Sequence, residues 1–120
     1  MDKINLIEKL GQFDDHWSPK IVAELNGQQV KLAKFEGPFV WHHHDHEDEL
    51  FLVLRGRFCM ELRDRMVWLD EGEMIVVPRG VEHRPVAPDG EVSILLFEPA
   101  GTLNTGNVHN ERTVSRLDRL

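Results

Sequence analysis

One cysteine, Cys59, is the only thiol in this 120-residue chain. No intrachain disulfide can form, which fits a reducing compartment and makes the cytoplasm the expected location. Basic clusters are missing as well: 14 Lys and Arg stand against 21 Asp and Glu, giving a formal net charge of -7, and the basic residues form no run. Nucleic acid is therefore not an expected partner. Apolar runs are short, Leu50 to Leu54 and Met74 to Val77 being among the longest, against the roughly 20 residues that span a bilayer. The opening segment MDKINLIEKLGQF alternates charges with Ile and Leu instead of ordering a basic stretch before an apolar one. It does not read as a secretory signal, and no membrane association is expected. Serine occurs only at Ser18, Ser93 and Ser115, none in a nucleophile elbow, and no GxxxxGK or GxGxxG loop is present. Serine-hydrolase chemistry and a phosphate-cradling loop therefore have no support in the sequence.

What remains is a chain of ordinary globular composition, 41% hydrophobic and 29% charged, long enough for one core and too short for two. Ile4, Leu6, Ile7 and Leu10 have near-helical spacing before Gly11, predicting a short amino-terminal helix or turn. From Ile21 the period shortens. IVAEL, an Asn26-Gly27 turn and QQVKLAKFE read as a hairpin, in which Val30, Leu32 and Phe35 supply the apolar alternation. FVWHHH, ELFLVL, RFCMEL, MVWL, EMIVVP and EVSILLFEP follow, separated by Gly, Pro or Asp turns. Many short strands without a long helical period predict an all-β sandwich or barrel. The polar tail from Pro99 to Leu120 is expected to pack on the barrel or on a partner subunit.

Four of the seven histidines, His42, His43, His44 and His46, fall within FVWHHHDHEDELFLVL. In a strand, His42 and His44 project to one face about 6.6 Å apart, and His43 projects to the other. Glu49 opens the next apolar run; if that run pairs antiparallel with the histidine strand, a carboxylate arrives beside two imidazoles. Taken alone, this is either a metal site or a solvated polar loop. His83, after the Pro78 to Gly80 turn, would on its own be read as a surface or capping residue. His16, His43 and His109 read as surface residues, and His46 as exposed or as a partner of a ligand. Cys59 lies opposite the Phe58, Met60, Leu62 face and has no activating neighbour in sequence, so it reads as an inert thiol.

Two blocks carry more information together. His42-x-His44, four residues, Glu49, six residues and Gly56 make the first; Gly72, five residues, Pro78-x-Gly80, two residues and His83 make the second. They resemble the two motifs of the cupin superfamily, in its small single-domain, mannose-6-phosphate-isomerase-like form. The resemblance spans about Gly37 to Ala87 by motif. It departs where Gly37 precedes His42 by four residues instead of five, and where Ala87 replaces a frequent Asn.

The resemblance implies a cupin-type β-barrel or double-stranded jelly roll (RmlC-like), a single domain over residues 1–120 with its core at about 20–98. It implies that His42, His44, Glu49 and His83 ligate a divalent transition metal. A three-imidazole, one-carboxylate set suits Fe, Mn, Zn, Ni, Co or Cu and is poor for Ca or Mg. Four protein ligands leave positions open for water or a small-molecule ligand or substrate. The expected function is a metal-dependent enzyme of isomerase, lyase or dioxygenase type acting on a small polar molecule. Glu49 and His46 are its acid-base candidates, and Phe51, Val53, Phe58 and Met60 its candidate pocket lining. The alternative is a non-catalytic binding or structural-metal cupin. A sugar-phosphate isomerase would need cations beside the metal, and alternation turns Arg84 away from His83. Small cupins resemble homodimers, so a second copy is the expected protein partner.

Overall fold

A computed structural model describes residues 1–120. Its elements are α1 (Leu6–Leu10), β1 (Lys20–Leu25), β2 (Gln28–Pro38), β3 (Glu49–Arg55), β4 (Phe58–Leu62), β5 (Met66–Leu69), β6 (Met74–Val77) and β7 (His83–Pro99). All the pairings between these strands are antiparallel, in the order β1-β2-β7-β3-β6, with β4 pairing both β5 and β7. This is an all-β fold, as the strand pattern predicts, and it is consistent with the jelly roll that the resemblance implies. The expected short helix is also present: the Asn5 side chain accepts a hydrogen bond from the Glu8 amide and caps α1, and Gly11 ends it.

The Asn26-Gly27 hairpin forms as its sequence dictates. Both residues have positive φ, 51° and 77°, which suits a tight turn whose twist matches the flanking strands. β7 departs from expectation. The alternation at His83 and Arg84 and the run EVSILLFEP, which lie on either side of a Pro-Asp-Gly turn signal, form one 17-residue strand. Its first part pairs with β4 from His83 to Val86, its later part with β3 from Ser93 to Phe97, and β2 pairs along both. The register on β2 jumps between Phe35 and Gly37, opposite Val92 and Ala87. Pro88, Asp89 and Gly90 thus make an irregularity within the strand where the sequence suggested a stop.

The main core draws on all the strands except β1: Ala33, Phe35, Phe51, Val53, Phe58, Met60, Leu69, Val77, Ala87, Val92, Ile94 and Leu96 belong to it, joined by Trp17 and Phe39. Burying each of the larger side chains contributes roughly 1.5–3 kcal/mol. The face expected to unite Val30, Leu32 and Phe35 is split. Leu32 packs with Leu10 and Val22 in a second, smaller core, while Ala33 and Phe35 face the interior. By the same parity Lys31 points inward and is 1% exposed. The tail packs on its own chain: Asp118 and Leu120 exchange backbone hydrogen bonds with Ile21, and Asn107 bonds to His43. No helix is long and apolar enough to cross a membrane.

Candidate metal centre

Phe39 to Asp48, read from sequence as including a strand, is mostly irregular. His42 makes one isolated antiparallel bridge, to His83. The His42 amide donates to the His83 carbonyl (3.1 Å) and the His83 amide to the His42 carbonyl (2.9 Å), so one bridge fixes two of the four candidate ligands. The expected pairing of Glu49's strand with the histidine segment does not form. β3 pairs with β6 and β7 instead, with Glu49 opposite Val77. Strand parity still sorts the side chains: His42 and His44 are buried, and His43 is half-buried with Nε2 3.0 Å from Asp45 Oδ1.

His42, His44, Glu49 and His83 are 3%, 4%, 4% and 0% exposed. Each offers one ligand atom, and these atoms lie within 4.8 Å of one another. The backbone settles which nitrogen faces in. Nδ1 of His42 donates to the Val40 carbonyl (2.9 Å), and Nδ1 of His83 donates to the Val81 carbonyl (2.9 Å). That places the proton outside and leaves each Nε2 lone pair available, the tautomer a metal ligand requires.

His44 Nε2, His83 Nε2 and Glu49 Oε1 are buried without a properly directed hydrogen bond. They nonetheless lie close, Glu49 Oε1 being 2.8 Å from His44 Nε2 and 3.3 Å from His83 Nε2. Buried polar atoms are costly unless partnered. Convergent donor atoms that lack partners among themselves fit a cation held between them.

The electrostatics agree. Burial, reinforced by the neighbouring His83, pushes His42 down to about 4, so its imidazole stays neutral near pH 7. Burial alone would raise Glu49, but the close approach of Glu98, His44 and His83 holds it well below the usual carboxylate range. Glu98 is the important residue the sequence reading missed. It is 2% exposed, its Oε1 accepts a 2.6 Å hydrogen bond from Lys31 Nζ, and it lines the same cavity as Glu49. Burial, then the charge on Glu49, raises Glu98 well above its ordinary range. Alternation would have revealed it, since Val92, Ile94, Leu96 and Glu98 share a face.

A cavity of about 30 Å³ adjoins the cluster, room for roughly two waters. Phe51 is among its walls, with Phe35, Phe39, Leu96, Glu49 and Glu98. Val53, Phe58 and Met60 lie in the packed core instead. Trp17 stacks on Phe35 at 4.3 Å and on Phe39 at 4.6 Å, closing one side with an aromatic wall. His46 is exposed on the loop and lines a surface groove with Asp45, Glu47 and Asn107. Arg84 is held by Glu61 at 2.7 Å, outside the cavity. Cys59 is buried, which pushes its thiol up.

An all-β chain with two β-borne ligand segments closing on one buried point has the architecture of a cupin. The family model described as a cupin domain matches residues 22–98, and the chain belongs to that family. The chain is 47% identical to a cupin-2 domain containing protein from Shewanella frigidimarina, over 80% of this chain and 93% of that one, with a TM-score of 0.78. It is 32% identical to protein NMB1881 from Neisseria meningitidis, over 82% of this chain and 100% of that one, with a TM-score of 0.75. It is also 38% identical to the uncharacterized protein YdbB of Bacillus subtilis across 64 residues, 52% of this chain; the match spans only 57% of that relative's length.

Proposed function

We propose that this chain is a metal-dependent cupin enzyme acting on a small polar molecule, its ion held by His42, His44, Glu49 and His83. The observation that carries the reading is the set of buried, converging Nε2 and Oε1 atoms without hydrogen-bond partners. Bound there, a divalent transition metal would supply Lewis-acid or, for redox-active ions, electron-transfer chemistry. The chain's own residues do the rest. His42 and His83 present fixed tautomers through Val40 and Val81. Glu98 stands beside Glu49 with its pKa raised, and Lys31 donates to its Oε1, so Glu98 is the group placed to exchange a proton with Glu49. The aromatic wall lines one side of the adjoining cavity. Isomerase, lyase and dioxygenase chemistry are all compatible with this set.

The small cavity favours a second reading, a cupin that holds its metal or a very small ligand without turnover, because about 30 Å³ admits little beyond water. Protein purified without a nickel column should carry stoichiometric transition metal by elemental analysis, and His42→Ala should lose it. Absence of metal after reconstitution would defeat the site assignment. A substrate panel on loaded protein then separates the enzyme, whose activity His42→Ala abolishes, from the binding module, which turns over nothing.

We read residues 1–120 as one cytoplasmic domain that forms a homodimer. Exposed Met66, Trp68, Met74 and Val76 on β5 and β6 support an apolar contact. Light scattering on the same preparation should give twice the 13.9 kDa chain mass; monomer alone would reject the dimer.

A further inference from the structure

The metal-ligand segment His42 to His44 lacks a regular strand neighbour, so what holds its backbone has to be found group by group. His42 is held on one side by its bridge to His83, and the His44 carbonyl accepts from the Gly80 amide at 2.7 Å. His43 faces the other way. Its carbonyl accepts from the Asn107 amide (3.0 Å), and its amide donates to Asn107 Oδ1 (2.8 Å). One residue thus supplies both a donor and an acceptor to His43, as a paired strand would.

The fit of the tail to this segment is close. A Cβ on Gly106 would lie 2.2 Å from the His43 carbonyl oxygen and 3.1 Å from His42 Cδ2, and Gly106 has a φ of +54°. No side chain fits without moving the histidine backbone. The tail is itself well anchored. Thr105 is fully buried, with Oγ1 donating to the Val108 carbonyl at 2.6 Å and lying 2.7 Å from Thr113 Oγ1. Asn104 donates to the carbonyls of Trp17 and Arg112 and accepts from the Val114 amide. The cupin-family match stops at residue 98, so this brace lies outside the part of the chain that the family match covers.

We propose that Asn107 and Gly106 are positioning residues for the metal centre: the tail sets the backbone between His42 and His44, and through it the spacing of their imidazoles. The inference rests on the metal reading of the cluster. Ligand spacing tolerates little error, and residues that orient ligands commonly change metal affinity when they are replaced.

The test uses the full chain with cobalt(II) as probe, measuring affinity by competition with a chromophoric chelator and His43 amide exchange in the metal-free protein. Asn107→Ala should lose His43 protection and bind cobalt roughly tenfold or more weakly. Asn107→Asp, which keeps the acceptor, should stay close to wild type, and Gly106→Ala should weaken binding at least as much as Asn107→Ala. If Gly106→Ala does not fold, Asn107→Ala decides. Unchanged cobalt affinity in folded Asn107→Ala overturns the proposal, even if its melting temperature falls, because that is a merely structural role. Unchanged His43 exchange overturns it as well. Wild-type protein that takes up no cobalt overturns the metal reading together with this one, whereas wild-type uptake with unaltered variants overturns this one alone.

Discussion

Two polar assemblies share the interior of this barrel, and they are built on opposite plans. Lys31 and Glu98 are 1% and 2% exposed, and Lys31 Nζ donates a 2.6 Å hydrogen bond to Glu98 Oε1. The cluster of His42, His44, Glu49 and His83 is equally buried but leaves His44 Nε2, His83 Nε2 and Glu49 Oε1 without partners. The first assembly carries a partner for its ammonium in the sequence. The second offers three converging atoms that a cation would satisfy. A buried polar group is tolerated when partnered and costly when not. Three unpartnered atoms converging on one point are therefore what distinguish the histidine cluster, the candidate binding site, from the Lys31–Glu98 pair, where Glu98 Oε2 alone lacks a partner.

The sharpest way to break this comparison is to remove half of the ion pair. Glu98→Leu strands the Lys31 ammonium in the core, and breaking a buried pair from one side costs roughly 3–5 kcal/mol. Lys31→Met should cost less, because the remaining Glu98 can take up a proton. The double variant should recover most of the loss, since an apolar replacement of both partners leaves no buried charge. Urea unfolding of metal-free protein measures all three. If Glu98→Leu unfolds at the wild-type urea concentration, Lys31 does not depend on Glu98 for its place in the core.

The next largest effect concerns pH. His42 has its folded pKa depressed to about 4 from an ordinary 6.5. Above 6.5 the imidazole is neutral in both folded and unfolded chains, and below 4 it is charged in both. Between those values the unfolded chain binds more protons, so stability falls as pH falls through the window. The gap, at about 1.4 kcal/mol per pH unit, amounts to about 3 kcal/mol for metal-free protein. Glu98, whose pKa is raised, slopes the other way, its contribution being lost as pH rises through its folded pKa. The difference in unfolding free energy between wild type and His42→Gln isolates the histidine. It should shrink by about this amount from pH 6.5 to 4, and a flat difference would refute the burial of a neutral His42.

Some of this architecture was legible in residue order and some was not. The alternation that separates His42 and His44 from His43 survives even though the segment is no regular strand, because the His83 bridge and Asn107 hold the backbone on opposite sides. The spacing of Glu49 and His83 pointed to the same centre, though β3 reaches it through β6 and β7 and not by pairing with the histidine segment. β7 was not legible as one strand because Pro88, Asp89 and Gly90 carry turn chemistry, which the long pairing with β2 overrides. Lys31 and Glu98 were hidden for another reason. A charged residue in an alternating strand reads as solvent-facing, and only the joint parity with Ala33 and Phe35 on β2, and with Ile94 and Leu96 on β7, turns both inward.

The smallest effect puts the same substitution on both sides of the comparison. Leu at position 98 leaves a stranded charge; Leu at position 44 removes a buried nitrogen that had no hydrogen bond. Metal-free His44→Leu is therefore expected to be at least as stable as metal-free wild type, because an unpartnered polar atom gives way to apolar packing beside Glu49 and His83. The loss should show only when an ion is offered. At a hundredfold excess over its dissociation constant, zinc or cobalt stabilises a protein that binds it only when folded by about 2.7 kcal/mol, a rise of roughly 10 °C in melting temperature for a domain of this size. Wild type should show that rise, and His44→Leu little of it at the same ion concentration. Thermal melts with and without ion, on both proteins, supply the four values needed. A His44→Leu protein that melts as early without metal as Glu98→Leu, or that keeps the full rise with it, would mean that the unpartnered atoms are not what distinguishes the two assemblies.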